Sequence, residues 1–163
     1  MTITTEATAT RDARSLITAE EFEGVAATVR DNNPDMAPAD AERIVEEALK
    51  FVAAAAARPG GMRPSRTVDE GWHALILHTR VYARVCASLG RFVHHIPERP
   101  DPTRHDPSAL DRTQANIVAA GFTVDRTLWL APIKGMPVAA GCEHSQNCGD
   151  GECSGNCRDD HPN

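Results

Sequence analysis

Apolar residues recur at helical spacing in four segments of the chain, separated by stretches rich in proline, glycine and asparagine. The helices predicted from this pattern span about 18–29, 38–57, 67–89 and 107–121. Two of them begin with a capping-box signature, Thr18 with Glu21 and Thr67 with Glu70. Pro38 suits the first turn of the second helix. The pattern therefore predicts helices throughout and no sheet.

The segments outside these helices complete the predicted fold. A short extended piece, 92–97, follows the third helix, and the four prolines of 97–107 indicate a loop. Residues 122–132, which include Trp129, are expected to dock back as irregular structure. We predict an all-α fold: a small bundle of about four helices with a short extended His-His segment and a disordered Cys/Gly-rich C-terminal tail. The predicted division is a disordered arm at 1–16, a helical domain at 17–131 and a flexible, acidic Cys/His-rich tail at 132–163.

Composition and charge narrow the function classes. The 163 residues make one domain, and 25 of them are alanine, the best helix former. The net charge is −6, so a basic nucleic-acid-binding surface is not expected. No segment approaches the roughly 20 apolar residues of a membrane span, and the N-terminus lacks the apolar core of a secretory signal. We therefore expect a soluble cytoplasmic protein with no nucleic-acid or membrane partner.

The third predicted helix and the extended piece after it contain four of the seven histidines. Asp69 and His73 are one helical turn apart, so the carboxylate can orient the imidazole, or both can reach one cation. Arg80 is the alternative partner of Asp69. His94 and His95 are consecutive on extended backbone, where side chains alternate, so one of them should face the helix.

The same helix also has a purely structural interpretation. Trp72, Tyr82 and Cys86 lie on its apolar face, and a free buried cysteine is usually a small hydrophobic residue. His73 and His78 are about 140° apart on a straight helix and cannot easily share a metal. The predicted site in the helical domain, which we call the body, would bind zinc or iron. It consists of Asp69, His73 and His94 or His95, with Cys86 as an outside candidate.

This region resembles a known family. Residues 65–97 carry an ordered pattern of Asp, Trp-His, Thr, Tyr, Cys, Gly and His-His-x-Pro, which falls on Asp69, Trp72, His73, Thr79, Tyr82, Cys86, Gly90, His94, His95 and Pro97. The pattern resembles bacterial members of the glycine-rich domain-containing protein-like family, with similarity over about 40–130. Leu75 and His78 depart from it, because bacterial members often have His and Asp there. The resemblance implies no mechanism, and the RNA binding suggested for another part of longer plant relatives is not carried over.

The C-terminal segment is a second candidate for metal binding. Its last 22 residues hold four of the five cysteines and two histidines: Cys142, His144, Cys148, Cys153, Cys157 and His161. These are enough for one tetrahedral site, and thiolates suit zinc or copper. The spacing matches neither a zinc ribbon nor a zinc knuckle. A flexible Cys/Gly-rich tail without a specific ligand is the alternative.

Two functional hypotheses follow from the sequence. The first is a small metal-binding protein, in which open coordination positions would permit a metalloenzyme acting on a small-molecule substrate. The second is a non-catalytic interaction module whose Cys-rich tail binds metal, recruits a protein partner or is itself modified. The sequence contains no phosphate loop, dinucleotide fingerprint or nucleophile-with-base motif, so it names no catalytic residue and no reaction.

Overall fold

The computed structural model describes residues 10–58, 60–96 and 106–130. Within these ranges the chain is all-helical and contains no strand. The five α-helices are α1 (Ala19–Asn32), α2 (Pro38–Ala57), α3 (Arg66–Leu77), α4 (Thr79–Ser88) and α5 (Ala109–Ala119). Short 3₁₀ helices are formed by Ala13–Leu16 and Arg126–Leu128. The prediction of an all-α fold is confirmed.

The first two helices begin at the residues that the sequence predicts, with a capping box in α1 and a proline in the first turn of α2. The Thr18 hydroxyl accepts from the backbone N–H of Glu21, and the Glu21 carboxylate accepts from the backbone N–H of Thr18. This reciprocal pair is a complete capping box, which satisfies two otherwise unpaired N–H groups. Pro38 occupies the first turn of α2, where its missing N–H costs nothing.

Helix α2 forms the centre of the bundle and packs against α1, α3 and α5. Its apolar residues are almost all buried, including Ile44, Leu49 and Val52. The axes of α2 and α3 approach closely at Gly71, because a Cβ there would lie 2.7 Å from the Ile44 carbonyl oxygen. Glycine at this position therefore allows α3 to pack closely against α2.

The predicted continuous helix over 67–89 is wrong. The chain leaves helical geometry at His78 (φ −82°, ψ 63°), which divides the segment into α3 and α4. The His78 ring lies 2.9 Å from the Thr28 hydroxyl, measured from Nε2, and so joins the break to α1. The predicted cap is also wrong, because the Ser65 hydroxyl, not Thr67, accepts from the Val68 N–H.

Two other boundaries differ from the expectation. Helix α5 begins at Ala109, because the Asp106 side chain accepts from the N–H of Ser108 in a turn before the helix. Ala13–Leu16, inside the predicted arm, form a 3₁₀ helix that packs on α2. The predicted docking of the segment after α5 is confirmed, because Trp129 is buried in the core.

Candidate metal site

Three side chains predicted as ligands converge beside α3. Asp69 and His73 are one turn apart on that helix, and His95 comes from the extended segment after α4. The Nε2 atoms of His73 and His95 are 2.8 Å apart. One Asp69 oxygen lies 3.3 Å from the His95 Nε2, and the other lies 3.3 Å from the His73 Nε2. In the described part of the chain, no other group of three or more His, Cys, Asp or Glu residues brings its donor atoms this close.

Burial of the three side chains is graded. The Asp69 side chain is 0% exposed, His95 is 13% exposed and His73 is 28% exposed. The carboxylate therefore forms the floor of the site, and the accessible edge lies at His73. Solvent or a small ligand would approach from that edge.

The donor set and its spacing fit one metal ion. Ligand atoms bound at about 2.0–2.2 Å to a single ion lie roughly 3–3.5 Å from one another, which is close to the separations found here. Two imidazole nitrogens and a carboxylate suit zinc or iron(II). One ligand atom from each of the three residues lies within 4.8 Å of the other two.

Asp69 brings a carboxylate into the protein interior. Removing a carboxylate from water is costly unless a positive charge or hydrogen bonds compensate for it. The two imidazole rings are neighbours of this carboxylate, each with its Nε2 at 3.3 Å from one of the carboxylate oxygens. A divalent ion held by the three side chains would compensate the charge of the carboxylate.

An aromatic layer lies under the site. The His95 ring packs on Trp72, with ring centroids 4.7 Å apart, and on His73 at 4.6 Å. The Trp72 indole N–H donates to the Tyr82 hydroxyl at 3.0 Å, and that hydroxyl donates to the Val93 carbonyl. Burial raises the pKa of Tyr82 well above its usual range, so the hydroxyl remains a donor. Trp72 and Tyr82 are core residues, as the sequence suggests, but they also contact the segment that carries His95.

The other candidate residues of the body lie elsewhere. His94 is exposed and stacks on Phe92, with ring centroids 4.7 Å apart, so His95 is the histidine that faces α3. Cys86 is buried in the core and is not in the ligand group. Arg80, the alternative partner of Asp69, is exposed on α4. The structure thus brings together three of the five predicted body residues.

The predicted tail ligands fall outside the residues that the structure describes. They are Cys142, His144, Cys148, Cys153, Cys157 and His161. Their role in metal binding stays a prediction.

The sequence pattern did not predict that Trp72 and Tyr82 contact the segment that carries His95. Their hydrogen bond depends on the break at His78, because ten residues of a straight helix would separate them by about 15 Å along its axis. No local signal in the sequence marks that break, and the apolar face of 67–89 continues through it.

Comparison with known proteins gives a family but no activity. A family model described as UCP032817-like matches residues 12–122, about two thirds of the chain, and the matched region includes Asp69, His73 and His95. No curated protein and no solved structure gives a significant match. Among the described helices, none is long and apolar enough to span a membrane. On the extent of the family match, the chain belongs to the UCP032817-like family.

Proposed function

We propose that this protein binds one divalent metal ion through Asp69, His73 and His95. The observation that carries the proposal is the convergence of a fully buried carboxylate and two imidazole Nε2 atoms at separations of 2.8–3.3 Å. Residues from two separate elements meet at this point, and their donor atoms are of the types that bind divalent metal ions.

Zinc and iron(II) are the metals that the donor set favours. Two histidines and one carboxylate are a common ligand set for catalytic zinc and for non-haem iron(II). Cys86 contributes no sulfur to the group, so the set does not favour a soft ion such as copper(I).

Three protein ligands leave coordination positions for a water molecule or a substrate. Such open sites support catalysis, whereas structural zinc sites are usually filled by four protein ligands. The bound ion would act as a Lewis acid or lower the pKa of a bound water. The chain's own contribution is to hold three ligands on one side and to leave the partly exposed edge at His73 accessible to a small-molecule substrate.

The proposal is tested by the metal content of the full-length protein. The tail thiols are first removed by the combined substitutions C142S, C148S, C153S and C157S, so that the body site is measured alone. The apoprotein is then loaded with zinc, dialysed and analysed by elemental analysis. We expect about one zinc per chain, reduced by Asp69→Asn and by His95→Ala because each removes a ligand.

His94→Ala is the matched control, since it deletes the neighbouring histidine, which faces away from α3. It should retain the metal. Equal loss of zinc from His94→Ala and His95→Ala, with helicity intact in both, would refute the proposed site, as would an absence of zinc from the parent protein.

A second role is proposed for the tail. Its four thiols and two imidazoles favour binding of zinc or copper independently of the body, or recruitment of a protein partner, or modification of the tail itself. Zinc that is bound by the natural chain in excess of the tail-substituted chain would support the first of these roles. We also propose that the protein is cytoplasmic and that it is related to the glycine-rich domain-containing protein-like family, as the pattern over residues 65–97 suggests.

A further inference from the structure

The ligand His95 is attached to the bundle differently from the other two ligands. Asp69 and His73 are fixed by helix α3, whereas His95 lies on a segment after α4 that is neither helix nor strand. Its position must therefore be set by contacts with side chains of α3 and α4.

Tyr82 lies at the junction of these contacts. Its side chain is buried, at 4% exposure, and its hydroxyl accepts from the Trp72 indole and donates to the carbonyl of Val93, two residues before His95. The partner in the first bond, Trp72, is the residue on which the His95 ring packs. One hydroxyl thus connects the backbone of the His95 segment to the aromatic ring beneath the imidazole.

Phe92 strengthens this arrangement from the other side. Its ring packs edge-on against Tyr82, with centroids 5.3 Å apart, although 48% of Phe92 is exposed. Residues 92 and 93 both engage Tyr82, so the two positions that precede the His-His pair are held in register with α4. In this arrangement His94 packs on Phe92, and His95 lies beside Asp69 and His73 of α3.

We propose that Tyr82 is a positioning residue that holds His95 in its ligand geometry, an inference that rests on the metal site proposed above. Tyr82 contacts Trp72, Phe92 and Val93, and none of these three is a proposed ligand. Removal of its hydroxyl leaves the Val93 carbonyl and the Trp72 indole without this shared partner. The His95 ring then loses its fixed place on Trp72.

The test uses Tyr82→Phe in the full-length chain that carries the four tail cysteine-to-serine substitutions. The first readout needs no metal: NMR shifts of the His95 ring protons report its stacking on Trp72, because the indole ring current shifts protons above its face. In Tyr82→Phe these shifts should move towards values of an unstacked imidazole. The second readout is titration with cobalt(II), whose absorption spectrum reports its ligands, and affinity should fall roughly ten- to 100-fold.

Thr113→Val is the matched control. It also removes one buried hydroxyl, which accepts from the Arg63 N–H at 2.8 Å and donates to the Ala109 carbonyl, away from the His95 segment. It should leave both the His95 shifts and cobalt affinity unchanged. If Tyr82→Phe preserves the His95 shifts, or if Thr113→Val moves them equally, the positioning role is overturned. If the shifts move as expected but the parent chain binds no cobalt, positioning of His95 stands and the metal-binding function fails.

Discussion

At the scale of single residues, glycine and aspartate set the conditions for the site. Gly71 lies between Glu70 and Trp72 and allows α3 to approach the backbone of α2. Two positions before it, Asp69 is fully buried. Gly71 thus brings the two helices together, and Asp69 supplies the buried carboxylate of the site.

The packing at Gly71 gives a direct prediction. In Gly71→Ala the added Cβ would lie 2.7 Å from the Ile44 carbonyl oxygen and 2.9 Å from its side chain, so the helices must separate. Overpacking of this kind costs about 1–3 kcal/mol, whereas alanine gains roughly 1 kcal/mol in helix propensity. We therefore expect the free energy of unfolding to fall. Urea denaturation measures it.

Gly24→Ala provides the control for that experiment. Its Cβ would meet only the His78 ring at 3.5 Å, an ordinary van der Waals distance, and its helix propensity improves by the same amount. It should be neutral or stabilising. Equal stability of the two variants would contradict the proposed close packing at Gly71.

At the scale of elements, the break between α3 and α4 determines what the sequence can and cannot predict. The capping box at Thr18 and the proline start of α2 depend on neighbouring residues, so local patterns are sufficient to predict them. The break at His78 is stabilised by contacts with α1 fifty residues away, which no local pattern records. Asp69 and His73 were predictable from helical spacing, but the choice of His95 over His94 required the path of the chain after this break.

Helices α1 and α4 are joined by an ion pair with a defined pH dependence. Glu21 accepts from Arg84 at 2.7 Å, and this pair, with the Thr18 N–H, lowers the pKa of Glu21 from 4.5 to about 2. Because the folded state holds the ionised form more strongly, its contribution to stability is fully present above about pH 4.5 and disappears as the pH falls towards 2.

Glu21→Gln isolates this contribution. Glutamine can still accept in the capping box, but it lacks the charge that pairs with Arg84. The variant should be less stable than the parent at pH 7, and the difference should shrink steadily between pH 4.5 and 2 when urea midpoints are compared. A difference that remains constant over this range would show that the ion pair does not stabilise the fold.

At the scale of the whole molecule, the bundle brings together segments that are distant in sequence. The buried Glu47 of α2 accepts from the Trp129 indole at 2.8 Å and from Lys50 at 2.7 Å, which secures the segment after α5 to the centre. The all-α class was predictable from apolar periodicity and alanine content. The return of the His-His segment to α3 was also expected, but the choice of His95 over His94 was not predictable, because it depends on tertiary contacts of Tyr82 and Trp72.

The ligand shell of the bound ion tests the central claim most directly. X-ray absorption at the zinc edge, on the full-length chain that carries the four tail cysteine-to-serine substitutions and one equivalent of zinc, distinguishes nitrogen and oxygen ligands at about 2.0–2.2 Å from sulfur at about 2.3 Å. We expect a nitrogen/oxygen shell with outer-shell scattering from two imidazoles, reduced to one in His95→Ala and unchanged in His94→Ala. A shell without scattering from two imidazoles, or one that does not respond to His95→Ala, would contradict the assignment of Asp69, His73 and His95 as the metal site.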